Sequence, residues 1–267
     1  MATTSRRLFH PVGTLRSVLL YAAAATVMAC GGADQRPRSR DSAIAWPDTA
    51  SAEWIAYSIA GRPVIPGTRV TLETSPGGVG GYTGCNWYGA RRGDIHRGLE
   101  MTARACTRPT GIDEQERRFA NALQRTTTAA IRNESLVLRD SSDVEVLAFV
   151  LRRPSPVNPA QLVGTSWRLR ASTMPGLDTT RATLRFSSDS VSGFGGCRNL
   201  TGTYAARGDR LRFTYIAMGS LECRRDRARD AEELLTTALG ETEHFDIRDG
   251  SLLLTTFGGD TLRFSPQ

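Results

Sequence analysis

The side chains able to do chemistry here form a narrow set. All 34 basic residues of the 267-residue chain are arginine, against 27 acids and a net charge of +7. Without a single lysine, Schiff-base chemistry, a Ser-Lys dyad and a phosphate-loop lysine are excluded. Only three histidines are present. His96 follows the turn at Gly93-Asp94 and His244 lies just beyond a helical segment, so both read as solvent-facing or helix-capping groups. Ser190-Val191-Ser192-Gly193 lacks the Gly-x-Ser-x-Gly of a nucleophile elbow. Pro76-Gly77-Gly78-Val79-Gly80-Gly81 leads to Cys-Asn rather than Lys-Ser, which predicts a turn and not a phosphate cradle. Glu232 and Glu233 are helix neighbours pointing apart, and helix-start electrostatics accounts for them more simply than paired acid-base work. Arg224, Arg225, Arg227 and Arg229 cluster beside Cys223 as a solvated loop or, alternatively, an anion or partner contact. No catalytic residue and no cofactor are assigned.

Five cysteines remain. Cys30 belongs to the N-terminus, where Arg6, Arg7 and Arg16 precede an apolar run from Val18 to Met28. That run is too short to cross a bilayer, which needs about 20 residues, and has the form of a secretory signal. Its ending, Val27-Met28-Ala29-Cys30-Gly31, resembles a bacterial lipobox, which predicts lipid on Cys30 and cleavage before it. Several acyl chains make a stable anchor. Ser5-Arg6-Arg7-Leu8-Phe9 also resembles a twin-arginine export signal. Loss of residues 1–29 leaves 31 arginines against 27 acids, a net of +4, which suits an anionic envelope surface and argues against nucleic acid as a partner. Gly31 after the cysteine, in place of Asp, points to the outer membrane and its periplasmic face.

The elements that position the remaining residues come as a repeat. Residues 30–51 are polar and read as a flexible tether. Pro154, Pro156 and Pro159 mark a linker over 153–160 between a domain at 52–152 and one at 161–267. With an offset of 116, Glu116 pairs with Glu232, Ala122-Leu123 with Ala238-Leu239, and Ser135-Leu136 with Ser251-Leu252. Upstream the offset is 112 or 113, pairing Trp54 with Trp167, Thr71-Leu72 with Thr183-Leu184, and Gly84-Cys85 with Gly196-Cys197. One fold therefore occurs twice. Ala182, Leu184 and Phe186, then Leu211, Phe213 and Tyr215, alternate with polar residues as half-buried antiparallel strands do. Asp230 with Glu233 predicts the start of a helix whose Leu234, Leu235, Ala238 and Leu239 share one face and which stops at Gly240; Asp113 with Glu116 starts its counterpart. The fold class is α+β: two tandem copies of a curved antiparallel sheet, each with one packed helix.

Repeat symmetry pairs Cys85 with Cys106 and Cys197 with Cys223, so that each copy closes a loop of similar size. Zinc ligands normally come in close pairs, and none occurs here, so no metal is expected.

At these residues the chain resembles the META domain of the HslJ-like heat-shock lipoproteins. The second copy carries Gly196-Cys197-Arg198-Asn199-Leu200-Thr201-Gly202-Thr203-Tyr204, then Cys223, then Glu232-x-x-Leu235-x-x-Ala238-Leu239. The first carries Trp54, Gly84-Cys85-Asn86, Cys106 and Glu116-x-x-Phe119-x-x-Ala122-Leu123. It departs in lacking the Gly-x-Tyr that follows, and the second copy reads Cys-Arg-Asn where Cys-Asn-Arg is usual. The resemblance implies a non-catalytic envelope lipoprotein with a binding or stress-response role, acting on an envelope protein or small ligand. An inhibitor module that plugs an envelope hydrolase through Arg224, Arg225 and Arg227 is the alternative.

Overall fold

The computed structural model describes residues 46, 52–91, 93–104, 109–177, 181–223 and 226–267. The segment read as a secretory signal, Cys30, Cys106, Arg224 and Arg225 lie outside the described residues.

The first copy runs β1 (Glu53–Ile59), β2 (Arg62–Pro63), β3 (Thr71–Ser75), β4 (Gly78–Tyr82), β5 (Trp87–Arg91), β6 (Glu100–Met101), α1 (Ile112–Arg125), β7 (Thr128–Arg132), β8 (Ser135–Arg139) and β9 (Glu145–Leu151). The second runs β10 (Ser166–Ser172), β11 (Thr183–Phe186), β12 (Ser190–Phe194), β13 (Asn199–Arg207), β14 (Arg210–Met218), α2 (Asp226–Gly240), β15 (Thr242–Arg248), β16 (Ser251–Thr256) and β17 (Thr261–Pro266). Every named strand pairing is antiparallel.

The strands follow one cyclic order in both copies. In the second, β10 to β17 close into an eight-stranded barrel; in the first, the order β6-β5-β4-β3-β1-β9-β8-β7 is the same ring opened between β6 and β7. Strand length explains the difference. β14 has nine residues and reaches β15 through the pair Arg210–His244, whereas β6 has two and reaches only β5. Ile95, fully buried in the loop before β6, packs into the core of the open copy. The expected curved sheet is thus a barrel in one copy and an open sheet in the other, within a broadly α+β, mostly antiparallel architecture of two tandem domains with two α-helices among the described residues.

Finer detail repeats as well. A bulge falls between Ala56 and Ser58 in β1, and another between Leu169 and Ala171 in β10. Gly81 and Gly193 sit where neighbouring strands approach so closely that a Cβ would lie 2.2 Å from the Thr71 carbonyl oxygen in one copy and 1.9 Å from that of Thr183 in the other. Only glycine fits such a place. Each core is built on its tryptophan, Trp54 or Trp167, and on an apolar helix face: Phe119, Ala122 and Leu123 from α1, or Leu235, Ala238 and Leu239 from α2.

Four expectations need correction. The Pro76–Gly81 run is a turn only at Pro76-Gly77, after which β4 begins. Helix α2 starts at Asp226, four residues before Asp230, and its first turn carries the pair Arg229–Asp226 at 3.2 Å. Alternation in β14 ends at Phe213: a bulge in its pairing with β13 precedes Tyr215, which is exposed. Trp46, inside the segment read as tether, is buried in the first core, where its large ring removes much apolar area from water. The proline linker contains a short 3-10 turn, Pro159–Leu162, capped by Asn158, and Leu162 enters the second core.

Candidate functional site

Two polar constructions stand out from these cores. The first is a turn held by a helix carboxylate, and it occurs in both copies. Glu232 on α2 is fully buried; one of its oxygens accepts from the backbone N–H groups of Cys197 (2.9 Å) and Arg198 (2.5 Å), while the other takes the Arg198 Nε at 2.7 Å. Burial alone would raise its pKa, but the Arg198 N–H and guanidinium and the Cys197 N–H outweigh it and hold the carboxyl below its usual range. Glu116 on α1 serves the first copy, accepting from Asn86 N and Asn86 Nδ2, both at 2.9 Å, and from the Thr83 hydroxyl. Thr102 adds a hydrogen bond to Asn86 Oδ1 at 2.9 Å. Beside this turn Cys197 is disulfide-bonded to Cys223, with Cα atoms 5.9 Å apart. Cys85 is also disulfide-bonded, and its partner lies outside the described residues. Glu232 therefore does more than favour a helix start: it ties the helix to the Gly-Cys turn, as one expects of a carboxylate with no water to solvate it.

The second construction joins the copies. Glu53 opens β1; Glu243 and His244 open β15; all three are buried. Arg69 spans the two glutamates, donating to Glu53 and to Glu243 Oε2 at 2.7 Å. Arg210 reaches Glu53 (3.4 Å), Glu243 (3.3 Å) and Glu73 (2.9 Å). Arg152, just after β9, donates from Nε to Glu53 at 2.6 Å and from Nη1 to Asp209 at 2.6 Å. Asp209, in the β13–β14 turn, also accepts the Ser155 N–H at 2.8 Å. The His244 Nε2 lies 3.2 Å from Glu53 Oε2 and 3.5 Å from Glu243 Oε2, near enough for ionic attraction though not aligned as a hydrogen bond to either.

These contacts set the charges. Burial would raise the pKa of Glu243, yet His244 and Arg69 bring it down to about 2 and lower that of Glu53; burial likewise opposes the lowering of Asp209, which comes chiefly from Arg152 and the Ser155 N–H. Burial would lower the pKa of His244, but Glu243 and Glu53 outweigh it and raise the value. A cleft of about 260 Å³ borders the network, lined by His244, Arg152, Arg153, Ser155, Asp209 and Asp246 among others.

Glu53, Glu243 and His244 place ligand-type atoms within 4.8 Å of one another. They do not fit a divalent cation, because every carboxylate oxygen of the two glutamates already accepts a guanidinium. A dication there would face Arg69, Arg152 and Arg210 at close range.

The sequence-derived residues are dispersed. His244 is not a solvent or cap group, because β15 turns it inward against the first copy. His96 contacts the Gln124 carbonyl at the end of α1, 2.6 Å away. Arg227 is exposed in the first turn of α2. Sequence reasoning missed the joining network, although a signal exists in the repeat: Glu53, Glu243 and His244 align with Ser166, Thr127 and Thr128, so one copy carries charge where the other is neutral.

A duplicated antiparallel domain with a carboxylate-tied Gly-Cys turn defines the class. The META domain family model matches residues 48–153 and 160–267, and the chain belongs to that family, with two domains in tandem. Among solved structures it is similar to an NMR structure of a protein from Burkholderia xenovorans (28% identity, 43% of this chain and 92% of that one, TM-score 0.34). It is also similar to a second protein solved by NMR (21%, 41% and 94%, TM-score 0.34) and to a DUF4847 family protein from Bacteroides vulgatus (11%, 39% and 93%, TM-score 0.30). No curated protein matches the sequence.

Proposed function

We propose that this chain is a non-catalytic envelope lipoprotein, anchored through Cys30 and facing the periplasm from the outer membrane, whose two META domains bind or stabilise an envelope component during stress. The observation that carries the reading is the combination of two META domains, one with an internal disulfide, behind an N-terminus that ends in a lipobox-like Ala29-Cys30. A disulfide suits an oxidising compartment. The distribution of ionisable groups supports a binding role over catalysis: the most heavily charged buried cluster among the described residues is neutralised from within and joins two domains. None of the described helices is long and apolar enough to cross a membrane.

Metabolic labelling with a palmitate analogue tests the anchor. The full chain expressed in a Gram-negative host is expected to take up label and sediment with outer membranes, and Cys30→Ser to do neither. Equal labelling of both, or a soluble unlabelled wild type, overturns the assignment.

A further inference from the structure

We propose that the contact between the two META domains is an acid-tightened clamp: a proton taken up by His244, between the carboxylates of Glu53 and Glu243, strengthens the docking of the first domain on the second as pH falls from neutral to mildly acidic. The geometry carries this. Glu53 belongs to the first domain and Glu243 and His244 to the second, so the imidazole sits where the two domains' carboxylates converge.

The two carboxylates beside the ring give the direction. The groups facing His244 come from every element around it: Glu53 from β1, Arg69 from the segment before β3, Arg152 after β9, Asp209 and Arg210 at the β13–β14 turn, and Glu243 beside it on β15. Glu73 joins through Arg210, and Arg212 stands at the rim, 3.9 Å from Glu243. On the same strand Asp246 is engaged by Ser155 and Arg248. Four carboxylates (Glu53, Glu73, Asp209, Glu243) thus meet four guanidinium groups (Arg69, Arg152, Arg210 and, at the rim, Arg212). The imidazole itself lies against two carboxylates, one from each domain, with Nε2 3.2 Å from Glu53 and 3.5 Å from Glu243, so a proton on the ring gains an attraction to both. A cleft borders His244, although both ring nitrogens are buried.

The pH window follows from the direction of each shift. His244 has a raised pKa, so its contribution is complete below the undocked value of about 6.5 and is lost as pH rises through the docked value. Glu53, Asp209 and Glu243 have lowered values, so theirs is complete above the undocked carboxylate range of about 4 and is lost as pH falls through the docked values, about 2 for Glu243. The clamp is therefore tightest between about pH 4.5 and 6.5 and loosens on the alkaline side first.

Thermal unfolding of the full chain at pH 5.5 and 8.0 tests it, with His244→Gln and His96→Gln in parallel. The wild type and H96Q are expected to melt at least about 3 °C higher at pH 5.5, and H244Q to lose that difference. A difference retained in H244Q, or abolished in H96Q, overturns the clamp. NMR titration of the assigned His244 ring in the wild type does not depend on how a variant folds: a midpoint above the ordinary histidine value is required, and one at or below it refutes the proposal.

Discussion

Glu232 and Glu116 show how a single side chain can be essential without being reactive. Each is an acid on the buried face of a helix, and each uses its oxygens on a turn that brings its own donors. Replacing Glu232 with Ala leaves the Cys197 and Arg198 N–H groups without their acceptor and Arg198 without its counter-charge. The expected cost is about 3 kcal/mol, read from the denaturant midpoint of the full chain. The positions of these glutamates were legible in the sequence, because the repeat aligns them at an offset of 116. Their role was not, since helix periodicity says which face a residue occupies and nothing of the loop that meets it.

At the scale of elements, the two copies show how much a fold tolerates and where it does not. The ring of strands survives a β6 too short to close it, because a loop residue, Ile95, supplies apolar contact in the open core. The crossing of β11 and β12 has no such latitude. Gly193→Ala would place a methyl group 1.9 Å from the Thr183 carbonyl oxygen, a backbone atom that cannot swing aside. We expect a loss of at least about 2 kcal/mol in equilibrium unfolding. By comparison Gly240→Ala, at a position with open space around it, is expected to be nearly silent. Strand alternation around Leu184 and Leu211 was legible because one face meets a core and the other meets solvent. Tyr215 departs from it because a bulge changes which face a residue takes, and bulges leave little trace in composition. Barrel closure was likewise hidden, resting on one residue pair, Arg210–His244.

For the whole molecule, the question is whether two domains behave as one. Glu53 accepts from Arg69, Arg152 and Arg210, the last of which comes from the other domain. Glu53→Ala leaves Arg69, Arg152 and Arg210 their other carboxylates, Glu243, Asp209 and Glu73, but removes the acceptor they share and with it the first domain's central contribution to the contact. In calorimetry the wild-type chain is expected to unfold in one transition near pH 6, and E53A in two, with the first domain melting earlier. A single unshifted transition in E53A would show that the charges do not couple the domains. Duplication itself was evident from paired tryptophans, cysteines and helix acids. The docking was not, because pattern matching rewards positions where the copies agree, and the residues that join them are those where they differ.

That inequality has a consequence for how the chain could have grown. Ser166 stands where Glu53 would be, and Thr127 and Thr128 stand where Glu243 and His244 would be. Exchanging the order of the halves would bring hydroxyls to a junction that requires ions, and a third copy with the sequence of either half would arrive with one matching surface at most. The pairing is directional, since the two halves meet through residues that neither half repeats.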